Sequence, residues 1–370
     1  MAIPTRFATP SMAAPPSGAE KDRTVQQTDM DALVSRCSAV QTGYLTDPYA
    51  EMFLDISTPR DRRYPLINRG TYIRTTALDQ IVESFLSRPF QGKKQIISLG
   101  AGSDTRFFRL AADKSLRLLY HEFDFPQVTS RKIAAIQRHK ELATIISEYG
   151  QADSPEDSTG LPGFQVDARA GSLRSPCYYI HPIDLRTLKP GVPLPTGIDA
   201  SLPTLFISEC CLIYLSPNDA DDIFRWITSS FGQASESSPN GAGIVLYEPI
   251  GGDDSFGKVM IRNLSQRGIV LRTLQRYSTL ERQKERMRAL GFNSGMGACD
   301  VNFIHDEWID AEEKERIDKL ELLDEREEWV LLAKHYCIAW GWVERHPASA
   351  SASAGSLSFQ NWSRFPIQRT

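Results

Sequence analysis

The 370-residue sequence contains no apolar run long enough to cross a membrane, so a transmembrane helix is not expected in it. Six cysteines, Cys37, Cys177, Cys210, Cys211, Cys299 and Cys337, are scattered and never spaced as C-x-x-C. The six histidines show no metal-ligand pairing. Together these exclude a zinc site and a disulfide framework and point to a reducing compartment, expected to be the cytoplasm. No block of Lys or Arg stands out and the formal net charge is −4, so electrostatics give no support to a nucleic-acid partner. There is no internal repeat, and no Ser/His or Cys/His arrangement suggests a covalent nucleophile. The expectation left standing is a protein without membrane or nucleic-acid contact, read as a monomer, whose chemistry needs neither metal nor thiol.

What the chain does have is concentrated at Gln95-Ile96-Ile97-Ser98-Leu99-Gly100-Ala101-Gly102-Ser103-Asp104-Thr105, an apolar run that stops at two glycines one residue apart. The pattern predicts a strand entering a tight turn. Gly100 and Gly102 can take φ > 0 and leave no Cβ in the way of a ligand lying on the main chain. A helix is expected to follow from Thr105, its first N–H groups facing the same space. This is the first βα turn of a nucleotide-type α/β fold.

Residues 1–27, rich in Pro, Ala and Ser to about Gly18, are expected to be a disordered tail. The stretch lacks the apolar h-region of a signal peptide; being free of acids before Glu20 and containing Arg6, it also leaves a transit-segment reading open. The folded domain is expected over 28–345, with polar inserted loops at 149–176 and 232–243 and a mobile Ser/Ala-rich tail over 346–370. Tyr72, Ile73, Ala77, Ile81 and Phe85 mark an amphipathic helix by their three-to-four spacing. Arg74 lies beside that stripe, as a solvated residue or a ligand contact.

Strands are read at Leu118–Phe125, Cys177–Leu185, Leu205–Glu209 and Ile244–Pro249, and the apolar, aromatic run Trp329–Val343 is read as the final strands. Asp124 stands near the offset of about 20 residues at which doubly wound folds place a carboxylate on ribose hydroxyls; the alternative is a strand-end turn residue before Pro126. Asp184 with Leu185 could flank a base, or could be an ordinary strand-end cap. Glu209, at the carboxyl end of a central strand, lies where open α/β sheets bind ligands. Cys210 and Cys211 read as small core residues rather than nucleophiles.

A dinucleotide turn wants G-x-G-x-x-G, and here the third position is Thr105. With Asp104 also in the turn, a pyrophosphate would meet a negative side chain. A sulfonium cofactor has no phosphate and carries a positive centre, so the charge pattern suits S-adenosyl-L-methionine better than NAD.

The segments Gly43-Tyr44 with Asp47-Pro48-Tyr49, Asn68-Arg69-Gly70, Leu99–Thr105, Glu122-Phe123-Asp124-Phe125-Pro126, Asp184-Leu185-Arg186, Leu202-Pro203-Thr204-Leu205, Glu209-Cys210, Gln283-Lys284-Glu285-Arg286 and His335-Tyr336-Cys337 run in order through the chain. From about Asp29 to Trp340 the sequence thereby resembles the leucine carboxyl methyltransferases. The resemblance implies a class I Rossmann-like methyltransferase fold, a mostly parallel sheet with helices on both faces, extra N-terminal helices and an insertion shaping the substrate pocket. It implies S-adenosyl-L-methionine as cofactor, held by Arg36, Arg74, Gly100, Gly102, Asp124, Asp184, Leu185 and Glu209. Arg36 stands where the family often has lysine, and the two are not interchangeable. The implied substrate is the C-terminal leucine carboxylate of the type 2A protein phosphatase catalytic subunit, whose methyl ester regulates holoenzyme assembly. Arg74 and Tyr214 are the candidates for holding and steering that carboxylate, although Tyr214 also reads as a core aromatic. A small-molecule O-methyltransferase of related fold and a non-catalytic phosphatase-binding module are the alternatives.

Overall fold

The computed structural model describes residues 18–55, 58–87, 92–153, 163–231, 241–324, 326–344 and 359–368. The described residues open with two long helices, α1 (Gly18–Thr42) and α2 (Pro65–Leu86). Next come β1 (Lys94–Leu99), α3 (Arg106–Leu110), β2 (Leu118–Asp124), α4 (Pro126–Arg138) and α5 (Lys140–Asp153). Two short strands, β3 (Gln165–Asp167) and β4 (Ser172–Arg174), lead to β5 (Tyr178–Pro182), β6 (Thr204–Glu209), α6 (Pro217–Phe231) and β7 (Ala242–Pro249). The rest is α7 (Ser255–Gln266), α8 (Leu280–Ala289), β8 (Gly295–Asp300), α9 (Val301–Glu307), α10 (Ala311–Asp318), α11 (Arg326–Lys334) and β9 (Tyr336–Val343).

The strands form one sheet in the order β3-β4-β5-β2-β1-β6-β7-β9-β8. The five central strands β5, β2, β1, β6 and β7 are parallel, in a register that sets Ile96 beside Tyr120 and Leu205. β4 and β9 pair antiparallel to their inner neighbours. Because side chains alternate along a strand, β1 feeds two cores. Ile96 joins one with the buried stripe of α2 and the apolar sides of α4 and α5, while Ile97 and Leu99 join the other with α6 and Met287 of α8. Such continuously apolar strands are what a sheet covered on both faces requires.

Several expectations are corrected. Residues 18–27 are not a disordered tail but the first turns of α1; the polar text hid them because their buried apolar residues start only at Leu33. The stretch 149–176 is not a plain loop, since it carries the end of α5 and the edge pair β3–β4; strands of three residues are too short to show alternation. Of 232–243, residues 242 and 243 already belong to β7, and 232–240 lie outside the described residues. The tail returns to the body at 359–368, where Phe359 stacks on Phe85 at 5.1 Å and Trp362 meets Trp342 edge-on at 6.0 Å. Both rings are buried, so two aromatics outweigh the Ser/Ala bias that suggested mobility. In addition, Trp329 starts the run expected to be strand but lies in α11, and only Tyr336–Val343 is β9.

Candidate functional site

β1 ends in a turn with Gly100 and Gly102 at φ +65° and +51°. The Gly100 and Ala101 N–H groups donate to the Phe123 carbonyl at 2.8 and 3.1 Å, fastening the turn to β2. The absent Cβ atoms have a use the sequence did not show. A Cβ on Gly100 would run into the Sγ and Cβ of Cys211, and one on Gly102 into the Asp29 carboxylate. Part of the space expected for a ligand is thus filled by the protein itself.

Above the turn, at the carboxyl ends of the parallel strands, lies a cavity of about 710 Å³. Its size is that of a small-molecule site. Arg36, Arg74, Gly100, Gly102, Asp124, Asp184, Leu185, Glu209 and Tyr214 all line it, as do Asp29 and Cys210 with Cys211. The two cysteines are half-buried at the cavity wall rather than in the core. Burial pushes both thiols up, which agrees with their reading as non-nucleophiles.

Asp124 ends β2 with its carboxylate accepting from the N–H of Gly102 at 2.8 Å and of Phe125 at 2.7 Å. Burial raises its pKa to about 6 despite these two bonds. Asp29 of α1 crosses to the same turn and accepts from the Ser103 N–H and hydroxyl at 2.7 and 2.8 Å. Asp184 is engaged by the Arg186 guanidinium at 2.6 Å, and Arg186 also reaches Asp22 of α1 at 2.8 Å. Since that carboxylate is spent on Arg186, the main chain of Asp184 and the Leu185 side chain are what remain to flank a base.

Glu209 sits between two arginines. Arg74 donates to Oε2 at 2.7 Å and Arg106 to Oε1 at 2.9 Å. Burial disfavours the charged carboxylate, but Arg74 and Arg106 outweigh it and hold its pKa below the usual range. The Arg74 guanidinium lies over the Tyr247 ring at 4.7 Å, and Tyr247 stacks on Tyr336 at 5.5 Å. Arg106, almost wholly buried, further binds Asp104 at 2.5 Å and Asp79 at 3.2 Å. Asp104 therefore does not present a free charge to the turn, and the repulsion of a pyrophosphate expected from it is weakened. Arg36 donates to Asp47 at 2.5 Å, and the same carboxylate oxygen accepts from the Thr105 hydroxyl at 2.5 Å. At the position where a dinucleotide turn has glycine, Thr105 is thus a tie to the segment before α2.

Tyr214 closes the wall from a short 3₁₀ turn, Leu212–Tyr214, after β6. The turn is entered through Cys210 at φ +48°, the one non-glycine residue with positive φ among the described residues. Its N–H donates to the Tyr247 carbonyl at 2.7 Å, which fixes this left-handed residue in place.

A leucine carboxyl methyltransferase family model matches residues 24–228. The leucine carboxyl methyltransferase 1 of Emericella nidulans is 46% identical, covering 94% of this chain and 89% of the relative. That of Schizosaccharomyces pombe is 41% identical, covering 86% and 94%. The chain belongs to the leucine carboxyl methyltransferase family. Like that family it is an S-adenosylmethionine-dependent methyltransferase of class I Rossmann-like fold. Among solved structures, Haemonchus contortus phosphoethanolamine N-methyltransferase 2 bound to S-adenosylhomocysteine overlays with a TM-score of 0.45 at 14% identity, over 90% of this chain and 60% of that one. A likeness so distant has no bearing on the site.

Within the family frame, the quoted motifs divide into cavity wall and scaffold. Arg286 lies between the rings of Phe224 and Tyr277, at 4.4 and 4.2 Å, and binds Asp221, fastening α8 to α6. Asn68 and Arg69 bind Glu321 and Asp318, fastening α2 to α10 and the residues after it. Sequence reasoning missed Asp29, Asp47 and Arg106. Asp47 was quoted within the Asp47-Pro48-Tyr49 segment but given no role in the site, and nothing local marked the other two.

Cofactor binding is expected to depend on pH through Asp124. Among the cavity carboxylates with a displaced pKa, Asp104, Glu209 and Asp184 are held low by arginines, whereas burial sets Asp124 near 6. A carboxyl raised in the folded state favours the fold below its ordinary value of about 4 and loses that contribution as pH rises through about 6. Binding by an ionised Asp124 has the opposite sign. S-adenosylhomocysteine is expected to bind about tenfold more weakly at pH 5 than at pH 7.5. Calorimetry at the two values tests this; Asp124→Asn should bind weakly at both, and a flat wild-type profile refutes it.

Proposed function

We propose that the protein methylates the C-terminal leucine carboxylate of the type 2A protein phosphatase catalytic subunit and so regulates assembly of its holoenzymes, acting as a monomer in the cytoplasm. Family membership over nearly the whole chain supports the carboxyl acceptor, and the observation that carries the chemistry is the wall of the cavity. Among the described residues no histidine lines it, while carboxylates and arginines from α1, α2 and the strand ends converge there. No helix in the described residues is long and apolar enough to cross a membrane.

Bound S-adenosylmethionine would supply a methyl group on a positively charged sulfur. The residues fit such a ligand: φ-positive turn residues, acids at successive strand ends, and an apolar Leu185 beside Asp184. Gly100, Gly102, Asp124, Asp184, Leu185, Glu209, Arg36 and Arg74 would hold it. A C-terminal carboxyl has a pKa of about 3.3–3.7 and is ionised near pH 7, so no residue need remove a proton. What remains is orientation, which can be worth about 7–11 kcal/mol. Arg74 would steer the acceptor by charge-assisted hydrogen bonding and Tyr214 by its hydroxyl.

Purified protein incubated with labelled cofactor and the phosphatase catalytic subunit should leave a base-labile methyl ester on the terminal leucine. Absence of the ester sinks the reading. Label appearing instead on small carboxylic or phenolic acids favours a small-molecule enzyme, and phosphatase binding without cofactor binding favours a non-catalytic module.

A further inference from the structure

Lys21, Arg36, Arg74, Arg186, Arg267 and Arg272 are the cations that line the cavity. Four of them are already matched. Arg36 is bound to Asp47, Arg74 to Glu209, Arg186 to Asp184 and Asp22, and Arg267 to Asp31. An arginine neutralised by its own carboxylate still donates hydrogen bonds but brings little net charge to an incoming anion. Only Lys21 and Arg272 show no ion pair among the described residues.

Position separates these two. Lys21 is in the first turn of α1 next to Asp22, whose carboxylate holds Arg186 and through it Asp184, at the end of the cavity with Leu185. Arg272 belongs to the segment between α7 and α8. Its backbone N–H donates to the Ile213 carbonyl at 2.8 Å, and the N–H of Thr273 donates to the same oxygen at 3.3 Å. Those two bonds lock the segment onto the 3₁₀ turn that carries Tyr214. A cation with no ion pair among the described residues is thus anchored by its main chain to the turn of Tyr214, its side chain exposed at the rim of the cavity.

We propose that Arg272 receives the carboxylate of the acceptor leucine and, with Tyr214, sets the acceptor's affinity. The inference rests on the proposed carboxyl acceptor and extends it. Arg272 supplies the uncompensated positive charge, so the anion is drawn to the mouth of the cavity while Arg74 keeps its pairing with Glu209. An arginine suits the role because its planar fork can grip both carboxylate oxygens, whereas lysine offers a point charge. The group at risk of being overbound is the ground-state carboxylate. Exposure limits that risk, since a solvated pair holds less tightly than a buried one.

The test measures ester formation on the phosphatase catalytic subunit and, separately, calorimetric binding of S-adenosylhomocysteine, in the wild type, Arg272→Ala and Arg272→Lys. Arg272→Ala is expected to raise KM for the phosphatase about tenfold or more, with kcat changed less than threefold, cofactor affinity unchanged within twofold, and partial recovery in Arg272→Lys. A wild-type KM in Arg272→Ala overturns the proposal. So does a loss confined to cofactor affinity, which would assign Arg272 to the cofactor's own carboxylate. If the wild type itself forms no ester while binding cofactor, the carboxyl-acceptor reading has failed and this inference falls with it. Those two failures are read from different proteins in the same series.

Discussion

Arg74→Ala is expected to lower kcat/KM for ester formation by about 100- to 1,000-fold while leaving a folded protein. Three contacts are lost at once: the charge-assisted bond to Glu209 at 2.7 Å, the stacking on Tyr247, and the donor proposed to steer the acceptor. Glu209 would be left with Arg106 alone. Removing one member of a largely buried pair typically costs about 3–5 kcal/mol, which is on the order of 100-fold or more if it falls on the bound complex. Arg106, tied also to Asp79 and Asp104, keeps Glu209 ionised and limits the damage to the fold. Arg74→Lys should regain little, because lysine cannot reach Glu209 and lie flat on Tyr247 together. Steady-state kinetics beside a thermal melt distinguish the cases: an unaffected rate removes Arg74 from the site, and a collapsed melt reassigns it to the scaffold.

Gly100→Ala is expected to do harm of another kind, lowering Tm by about 5 °C or more and weakening cofactor binding at least tenfold. At φ +65° a non-glycine residue costs about 1–2 kcal/mol. The new Cβ would also press on Cys211, whose Cβ is 2.9 Å from its position, and Cys211 follows the left-handed Cys210. Two tight turns lean on each other there, so neither can yield without displacing Tyr214 or the end of β1. The double variant Gly100→Ala with Cys211→Gly should recover part of the Tm, as the contact is relieved and the backbone cost stays. A wild-type melt for Gly100→Ala would show that this packing is unimportant.

Much of the architecture was legible because it is written in near neighbours. The apolar runs of β1, β2, β6 and β7, the spacing of α2 and the glycine turn each depend on residues a few places apart, where strand and helix periods act directly. Asp124, Asp184 and Glu209 were found by the same logic, as acids at strand ends. Misreadings arose where local composition and tertiary packing disagreed. The first turns of α1 are held through Asp22 and Asp29 by Arg186 and the Ser103 turn rather than by an apolar stripe, and the tail at 359–368 is secured by the buried rings of Phe359 and Trp362 and by Phe365 stacked on Trp308.

The sequence by itself determined the α/β class, the glycine turn, the acids that follow the strands and the family to which they belong. Only the tertiary structure decided how those acids are charged. Glu209 meets Arg74 and Arg106 across 135 and 103 residues of chain, Thr105 meets Asp47 across 58, and Arg272 shows no ion pair among the described residues. Period and composition constrain what lies within a turn or two. The ionisation and orientation of a site depend on which distant charges folding brings within about 3 Å, and that is a property of the packed molecule alone.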